Sequence, residues 1–285
     1  MKRKIVVLTG PTASGKTKLS IALAKAINAQ IICADSRIVY KNLDIVSAKP
    51  TSEEQDNIVH HLIDIVEPDM EFSAGDFVKS ASSILDDTDC NMIIAGGTWF
   101  YIKSLLDKEA LPECPRDFEK RKKLESYDSK TLWGMLNKLD SNRAELIHPN
   151  NKDKIIRSIE MCEFLKCPIS EYVRAENKNY DALWFMPDIK REELYERINL
   201  RVDEMMNFGL YDEWQKNIKL YPNSKIIENT IGYKEFFENE DLKVAVEKIK
   251  QHTRNFAKRQ MTYFRSRSDI IKINNIDDIL ENLTC

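Results

Sequence analysis

Eight residues near the amino terminus, Gly10-Pro-Thr-Ala-Ser-Gly-Lys-Thr17, restrict what this chain can fold into more than any other segment. They fit G-x-x-x-x-G-K-[ST], a pattern that carries meaning only between a strand and a helix. A β-branched run, Lys4 to Thr9 (KIVVLT), reads as a buried strand ahead of the loop. A helix is predicted from Lys16, with Leu19, Leu23 and Ile27 at helical spacing. In that setting successive backbone N–H groups curl round one anion at a positive helix end. Gly10, Pro11, Thr12, Ala13, Ser14, Gly15, Lys16 and Thr17 are therefore the candidate phosphate-binding residues. Lys16 supplies a point charge and Thr17 a hydroxyl for Mg²⁺. The loop specifies a di- or triphosphate and leaves open which.

Further along, Gln30 to Ala34 (QIICA) and Asn91 to Ala95 (NMIIA) read as strands. The second is closed by Gly96-Gly97 and followed by the helix-like stretch WFYIKSLL. This alternation implies an α/β fold: a P-loop NTPase-like parallel sheet flanked by helices on both faces. The texture changes near Pro112 and Pro115. From Arg116 to about Lys178 the chain is rich in Lys, Glu, Leu and Arg, which predicts an all-helical insertion. Ala182 to Pro187 (ALWFMP) returns to a strand. Helices are predicted around Arg191 to Phe208, ended by Gly209, and from Asp241 to about Arg267. The division is a catalytic core of 1–112 with 182–285, and an insertion of 113–181.

A net charge of -3 does not advertise a nucleic-acid partner, so any RNA contact must come from a local basic surface. One candidate exists. Asp241 to Ser268 holds eight Lys or Arg against two acids, with Phe256 and Phe264 at helical spacing. It reads either as a phosphate-contacting helix or as a solvated face. The six cysteines form no C-x-x-C pair and share no ligand spacing with the four histidines, which argues against zinc. His60-His61 read as structural for the same reason. The apolar run after the basic start is too short for a signal sequence, and no stretch approaches membrane-spanning length. A reducing, cytoplasmic setting fits the cysteine usage.

Many P-loop NTPases hold their metal with an aspartate at the end of a later strand. Here the best candidate strand ends in Ala95-Gly96-Gly97, so ordinary ATP hydrolysis is poorly supported. A loop gripping a diphosphate that leaves would account for the gap. Asp35 follows the second strand directly and should face the same crevice, because ligands bind at the carboxyl ends of strands in open parallel sheets. It could serve as a general base, as a metal partner, or as the cap of a following helix.

The ordered motifs resemble the tRNA dimethylallyltransferase (isopentenyl-diphosphate:tRNA transferase) family. They are GPTASGKT, DSRIVYKNLDIVSAKP (Asp35 to Pro50), HHLIDIVEP (His60 to Pro68), FSAGDF (Phe72 to Phe77) and GGTWFY (Gly96 to Tyr101). KIIRSIEM (Lys154 to Met161), IGYKEF (Ile231 to Phe236) and TRNFAKRQMTYFR (Thr253 to Arg265) complete the series. The resemblance implies that the loop binds the diphosphate of dimethylallyl diphosphate and that Asp35 takes the N6 proton of a tRNA adenine. It implies that Lys16, Thr12, Thr17 and Mg²⁺ stabilise the leaving diphosphate, with Arg201 reaching it from the opposite side. Asp35, Ser36, Arg37, Ile38, Thr98, Lys154, Arg157, Arg254, Lys258 and Arg259 are the implied tRNA contacts, to a flipped adenosine and the anticodon stem-loop. A monomer is the expected state. The chain departs from the family where Ile38 replaces Gln, at Val46-Ser47, at Trp99-Phe100, and from Asn150 to Lys154. Two other activities remain open on sequence: prenyl transfer to free AMP, ADP or ATP, as in the related adenylate isopentenyltransferases, and a small-molecule P-loop kinase. An RNA-binding protein with a silenced site is a third reading.

Overall fold

The computed structural model describes residues 3–107, 112, 114, 115, 117–173, 176 and 180–284. Arg116 and Lys178, given above as the insertion's ends, lie outside the described residues, as do 113 and Cys285. The chain divides into two compact units, Met1–Asp107 with Lys178–Cys285, and Lys108–Asn177.

In the first unit β1 (Ile5–Thr9) is buried at all five positions, which is why its sequence is a continuous apolar run. The phosphate loop and α1 (Lys16–Ile27) follow, and Asn28 closes the helix in the left-handed conformation. Next come β2 (Ala29–Cys33), short helices α2 (Asp44–Ser47) and α3 (Ser52–Gln55), and β3 (His60–His61). Helix α4 (Ala74–Asp86) opens with a capping box between Ser73 and Asp76, inside the FSAGDF motif. β4 (Asn91–Gly96) and α5 (Trp99–Leu106) complete this half.

The second unit is the helical insertion: α6 (Phe118–Glu125), α7 (Ser129–Leu139), α8 (Ser141–Glu145) and α9 (Lys152–Leu165). Asp117, Asp128, Asp140 and Asn151 cap the four helices with their side chains. Leu132, Leu136, Ile155, Ile156 and Ile159 form its own core. Asp140 also accepts from the Ser170 N–H and hydroxyl at 2.8 and 2.7 Å, tying the chain after α9 to the α7–α8 junction.

The first unit resumes with β5 (Ala182–Pro187), α10 (Arg191–Asn207), α11 (Leu210–Leu220), α12 (Lys225–Asn229) and α13 (Lys234–Glu238). The long α14 (Leu242–Phe264), β6 (Ile270–Ile273) and α15 (Ile276–Thr284) end the chain's described part. The six strands form one parallel sheet in the order β3-β2-β4-β1-β5-β6. Strand alternation feeds two cores. Ile5, Val7, Ile32 and Ile94 join Phe77 and Tyr101 on one face, whereas Val6, Leu8, Ile31 and Ile93 join Leu23 and Ile279 on the other. This is the P-loop NTPase-like α/β fold expected from the sequence. The expected strand at Asn91 is fourth in the chain, because β3 intervenes with two residues. β6 and α15 carried no assignment.

Candidate active site

The phosphate loop turns on three residues of positive φ: Gly10 at 141°, Ala13 at 61° and Gly15 at 87°. Gly15 is required there, since it caps α1 in the left-handed conformation and leaves the helix start without a side-chain cap. The Lys16 ammonium donates to the Pro11 carbonyl oxygen at 2.6 Å and to Ser14 Oγ at 3.4 Å. Burial pushes Lys16 down to about 7, Asp35 partly opposes this, and Arg201 reinforces it. Thr17 is exposed in the first turn of α1.

No group of three or more His, Cys, Asp or Glu residues able to hold a metal occurs among the described residues. The Thr17 hydroxyl is a hard oxygen donor in the first turn of α1.

Asp35 stands beyond the end of β2, half-buried. Its carboxylate accepts the Arg37 N–H at 2.8 Å, so it caps a turn, and no helix begins before α2. Its charge acts on Lys16 and Arg201, both of which it stabilises as cations. The buried Cys33 thiol is pushed up to about 12, by burial first and then by Asp35. The carboxylate and both cations thus lie within electrostatic reach of one another. Thr98 braces it: its N–H donates to Ala34 O at 3.1 Å, and its hydroxyl oxygen accepts the Ser36 N–H at 3.0 Å. Arg37 folds onto Ser36 O at 3.0 Å. Ile38 is half-buried and packs on the core that holds Ile31 and Cys33.

The missing acid after β4 has a steric cause. A Cβ on Gly96 would lie 2.1 Å from Ala34 O, and one on Gly97 would lie 2.3 Å from Gln260 Nε2. Backbone excludes a side chain at Gly96, and one at Gly97 would have to displace the Gln260 amide.

Two helices grip the loop from outside. Arg201, on α10, donates to Thr12 Oγ1 at 3.4 Å; burial lowers its pKa, with Asp35 and Glu204 opposing. Arg197 lies one turn earlier on α10, its Nη1 3.7 Å from where a Gly15 Cβ would stand, and pairs with Glu193 at 2.6 Å. Gln260, on α14, accepts the Thr12 N–H at 2.9 Å. Leu194 and Ile198 of α10 pack with Ala257 of α14, and Ala13 of the loop rests against them. Neither Arg197 nor Gln260 was singled out from sequence. Arg197 had a signal, its i,i+4 spacing to Arg201, whereas Gln260 had none of its own.

Of the basic candidates on α14, Lys258 and Arg259 are exposed, and Arg259 sits 6.0 Å above the Phe256 ring. Arg254 is half-buried and donates to Asn199 Oδ1 at 2.5 Å. Within the insertion, Lys154 is exposed in the first turn of α9. Arg157 is engaged locally, with Cys114 O at 2.7 Å and Glu160 Oε2 at 3.3 Å. His60 and His61 bond to Ile58 O and Gln30 Oε1, and burial lowers both. Trp99 packs against Trp184 and Phe264, in the core.

A parallel sheet carrying a phosphate loop at the carboxyl ends of its strands defines a P-loop α/β enzyme. A family model described as IPP transferase matches residues 38–267, and one described as Isopentenyl transferase matches residues 3–67. The tRNA dimethylallyltransferase 1 of Trichlorobacter lovleyi is 42% identical, over 93% of this chain and 92% of that protein. The tRNA dimethylallyltransferase of Acetivibrio thermocellus is 41% identical, over 95% of this chain and 91% of that protein. Among solved structures, a eukaryotic dimethylallyltransferase acting on tRNA superposes with TM-score 0.82 at 28% identity, covering 96% of this chain and 74% of that one. The tRNA isopentenylpyrophosphate transferase of Bacillus halodurans gives TM-score 0.70 at 35% identity, covering 95% and 90%. The chain belongs to the IPP transferase family and is an enzyme of the tRNA dimethylallyltransferase class.

Proposed function

We infer that the protein transfers the dimethylallyl group of dimethylallyl diphosphate to N6 of an adenine in tRNA, adenosine 37 beside the anticodon, and releases diphosphate. The observation that carries this reading is the placement of Lys16 within the phosphate loop, of Arg201 on its Thr12 at 3.4 Å, and of Asp35 beyond the end of β2. Family membership supplies the reaction class.

The chemistry sets the division of labour. Adenine N6 is a poor nucleophile, since its lone pair is delocalised into the ring. Positioning and leaving-group stabilisation must therefore supply most of the rate. The N6–carbon bond forms as the allylic carbon–oxygen bond breaks, and the departing diphosphate takes the electron pair. Loop N–H groups, Lys16 and Arg201 receive that charge, with Thr12 oriented between loop and Arg201. Asp35 accepts the N6 proton. Mg²⁺, when bound at Thr17, neutralises diphosphate charge. The adenine reaches the site by leaving its stack, with Ser36, Arg37, Ile38 and Thr98 at its edge.

Lys154 and Arg157 of the insertion, with Arg254, Lys258 and Arg259 of α14, are the proposed contacts to the anticodon stem-loop. Working as a monomer in the cytosol, where tRNA and a reducing poise coincide, completes the reading.

The test is incubation with labelled dimethylallyl diphosphate and tRNA, AMP or ATP in separate reactions. Label in tRNA with release of pyrophosphate is expected. Label confined to AMP or ATP would overturn the acceptor.

A further inference from the structure

We propose that Gln260 is a positioning residue for the phosphate loop, clamping the Thr12 N–H to the Gly97 carbonyl so that α14 sets the loop's shape. The inference rests on the reading that this loop holds dimethylallyl diphosphate.

Gln260 is 5% exposed, about one turn from the end of α14, where the neighbouring Lys258 and Arg259 face solvent. Its Oε1 accepts from Thr12 N at 2.9 Å, and its Nε2 donates to Gly97 O at 2.9 Å. These partners fix the amide's orientation, because one can only donate and the other can only accept. Only a side-chain amide of this length satisfies both. A glutamate would present an oxygen to the Gly97 carbonyl, and an apolar side chain would take this partner from the half-buried Thr12 N–H and leave the Gly97 carbonyl only the Trp99 N–H at 3.1 Å. Gly97 itself is shaped to the contact, since any Cβ there would collide with Nε2.

Thr12 is consequently held at two points by two helices. Gln260 of α14 holds its backbone, and Arg201 of α10 holds its hydroxyl. The Gly97 end of the clamp lies on the strand end that also carries Thr98 and, through it, Ser36. The diphosphate loop and the acceptor side of the crevice are therefore tied by a single amide.

The experiment compares wild type, Gln260→Met and Gln260→Glu. It measures the Kd for dimethylallyl diphosphate by calorimetry, KM and kcat in tRNA prenylation, and the Kd for tRNA. Met keeps the length and loses both bonds; Glu keeps the shape and loses the donor. We expect KM and Kd for dimethylallyl diphosphate to rise about tenfold in both variants, the scale of one or two lost hydrogen bonds. The tRNA Kd should stay within about twofold. Unchanged KM, an equal loss in both ligands, or failure of both variants to fold would overturn the assignment, the last by making Gln260 a core residue. Wild-type protein that does not bind dimethylallyl diphosphate would overturn the function itself, an outcome distinct from wild-type binding with unaltered variants.

Discussion

The Lys16 ammonium rests on the Pro11 carbonyl oxygen, 2.6 Å away, inside the loop it serves. Burial lowers the pKa of that ammonium to about 7. An incoming diphosphate favours the charged form and raises that value in the complex. Below pH 7 the free lysine already carries its proton and binding requires no uptake. Above pH 7 it is neutral, so each binding event takes up a proton and affinity falls by up to about tenfold per pH unit. Calorimetry at pH 8 in buffers of different ionisation enthalpy should show uptake that disappears in Lys16→Met. Equal uptake in both proteins would contradict the assignment to Lys16.

Asp35 is assigned to proton transfer and to little of the RNA affinity. Asp35→Ala should lower kcat by roughly 10- to 1000-fold, as for loss of a general base, while tRNA affinity persists. Single-turnover prenylation alongside filter binding separates the two effects. Undiminished turnover would remove Asp35 from the reaction.

Arg259 projects from α14 beside the Phe256 ring. Loss of one phosphate contact predicts that Arg259→Ala weakens binding of every substrate tRNA alike and reduces the slope of log K against log salt by about 1. A titration series in potassium chloride measures this. An unaltered slope would leave the residue on a solvated face.

Gly232 tests the fold where it meets Val46. Its φ is +102°, and an added Cβ would lie 2.7 Å from Val46 Cγ2. Gly232→Ala should cost about 1–3 kcal/mol in urea unfolding, from the strained backbone and the clash together. Adding Val46→Gly should recover the steric part and leave the backbone part. Equal stability of Gly232→Ala and wild type would contradict this.

Much of the catalytic half was legible in the sequence because its signals are local. The loop needs its glycines, β1 needs its unbroken apolar run, and WFYIKSLL matches α5 (Trp99–Leu106). Asp35 was placed by a topological rule, because the strand ends share one side of a parallel sheet. The residues that escaped act over long separations. Gln260 meets Thr12 from 248 positions away, and although it lies within the motif Thr253 to Arg265, nothing local says which partner it reaches. β3 escaped because a two-residue strand has no periodicity to read, whereas α4 went unassigned although Phe77, Ala81 and Leu85 stand at helical spacing behind the Ser73–Asp76 capping box. The glycine pair after β4 was read as a missing acid. Its packing against Ala34 and Gln260 was not legible, because both contacts come from distant segments.

The central claim is that the loop holds a diphosphate that departs while the carboxylate across the crevice receives the adenine proton. Its most direct test is a crystal structure with an unreactive thiolo analogue of dimethylallyl diphosphate and an anticodon stem-loop. The account predicts the diphosphate in the loop between Lys16 and Arg201, the allylic carbon facing adenine N6, and Asp35 within hydrogen-bond reach of that nitrogen. A diphosphate seated elsewhere, or an adenine whose N6 faces away from Asp35, would contradict it.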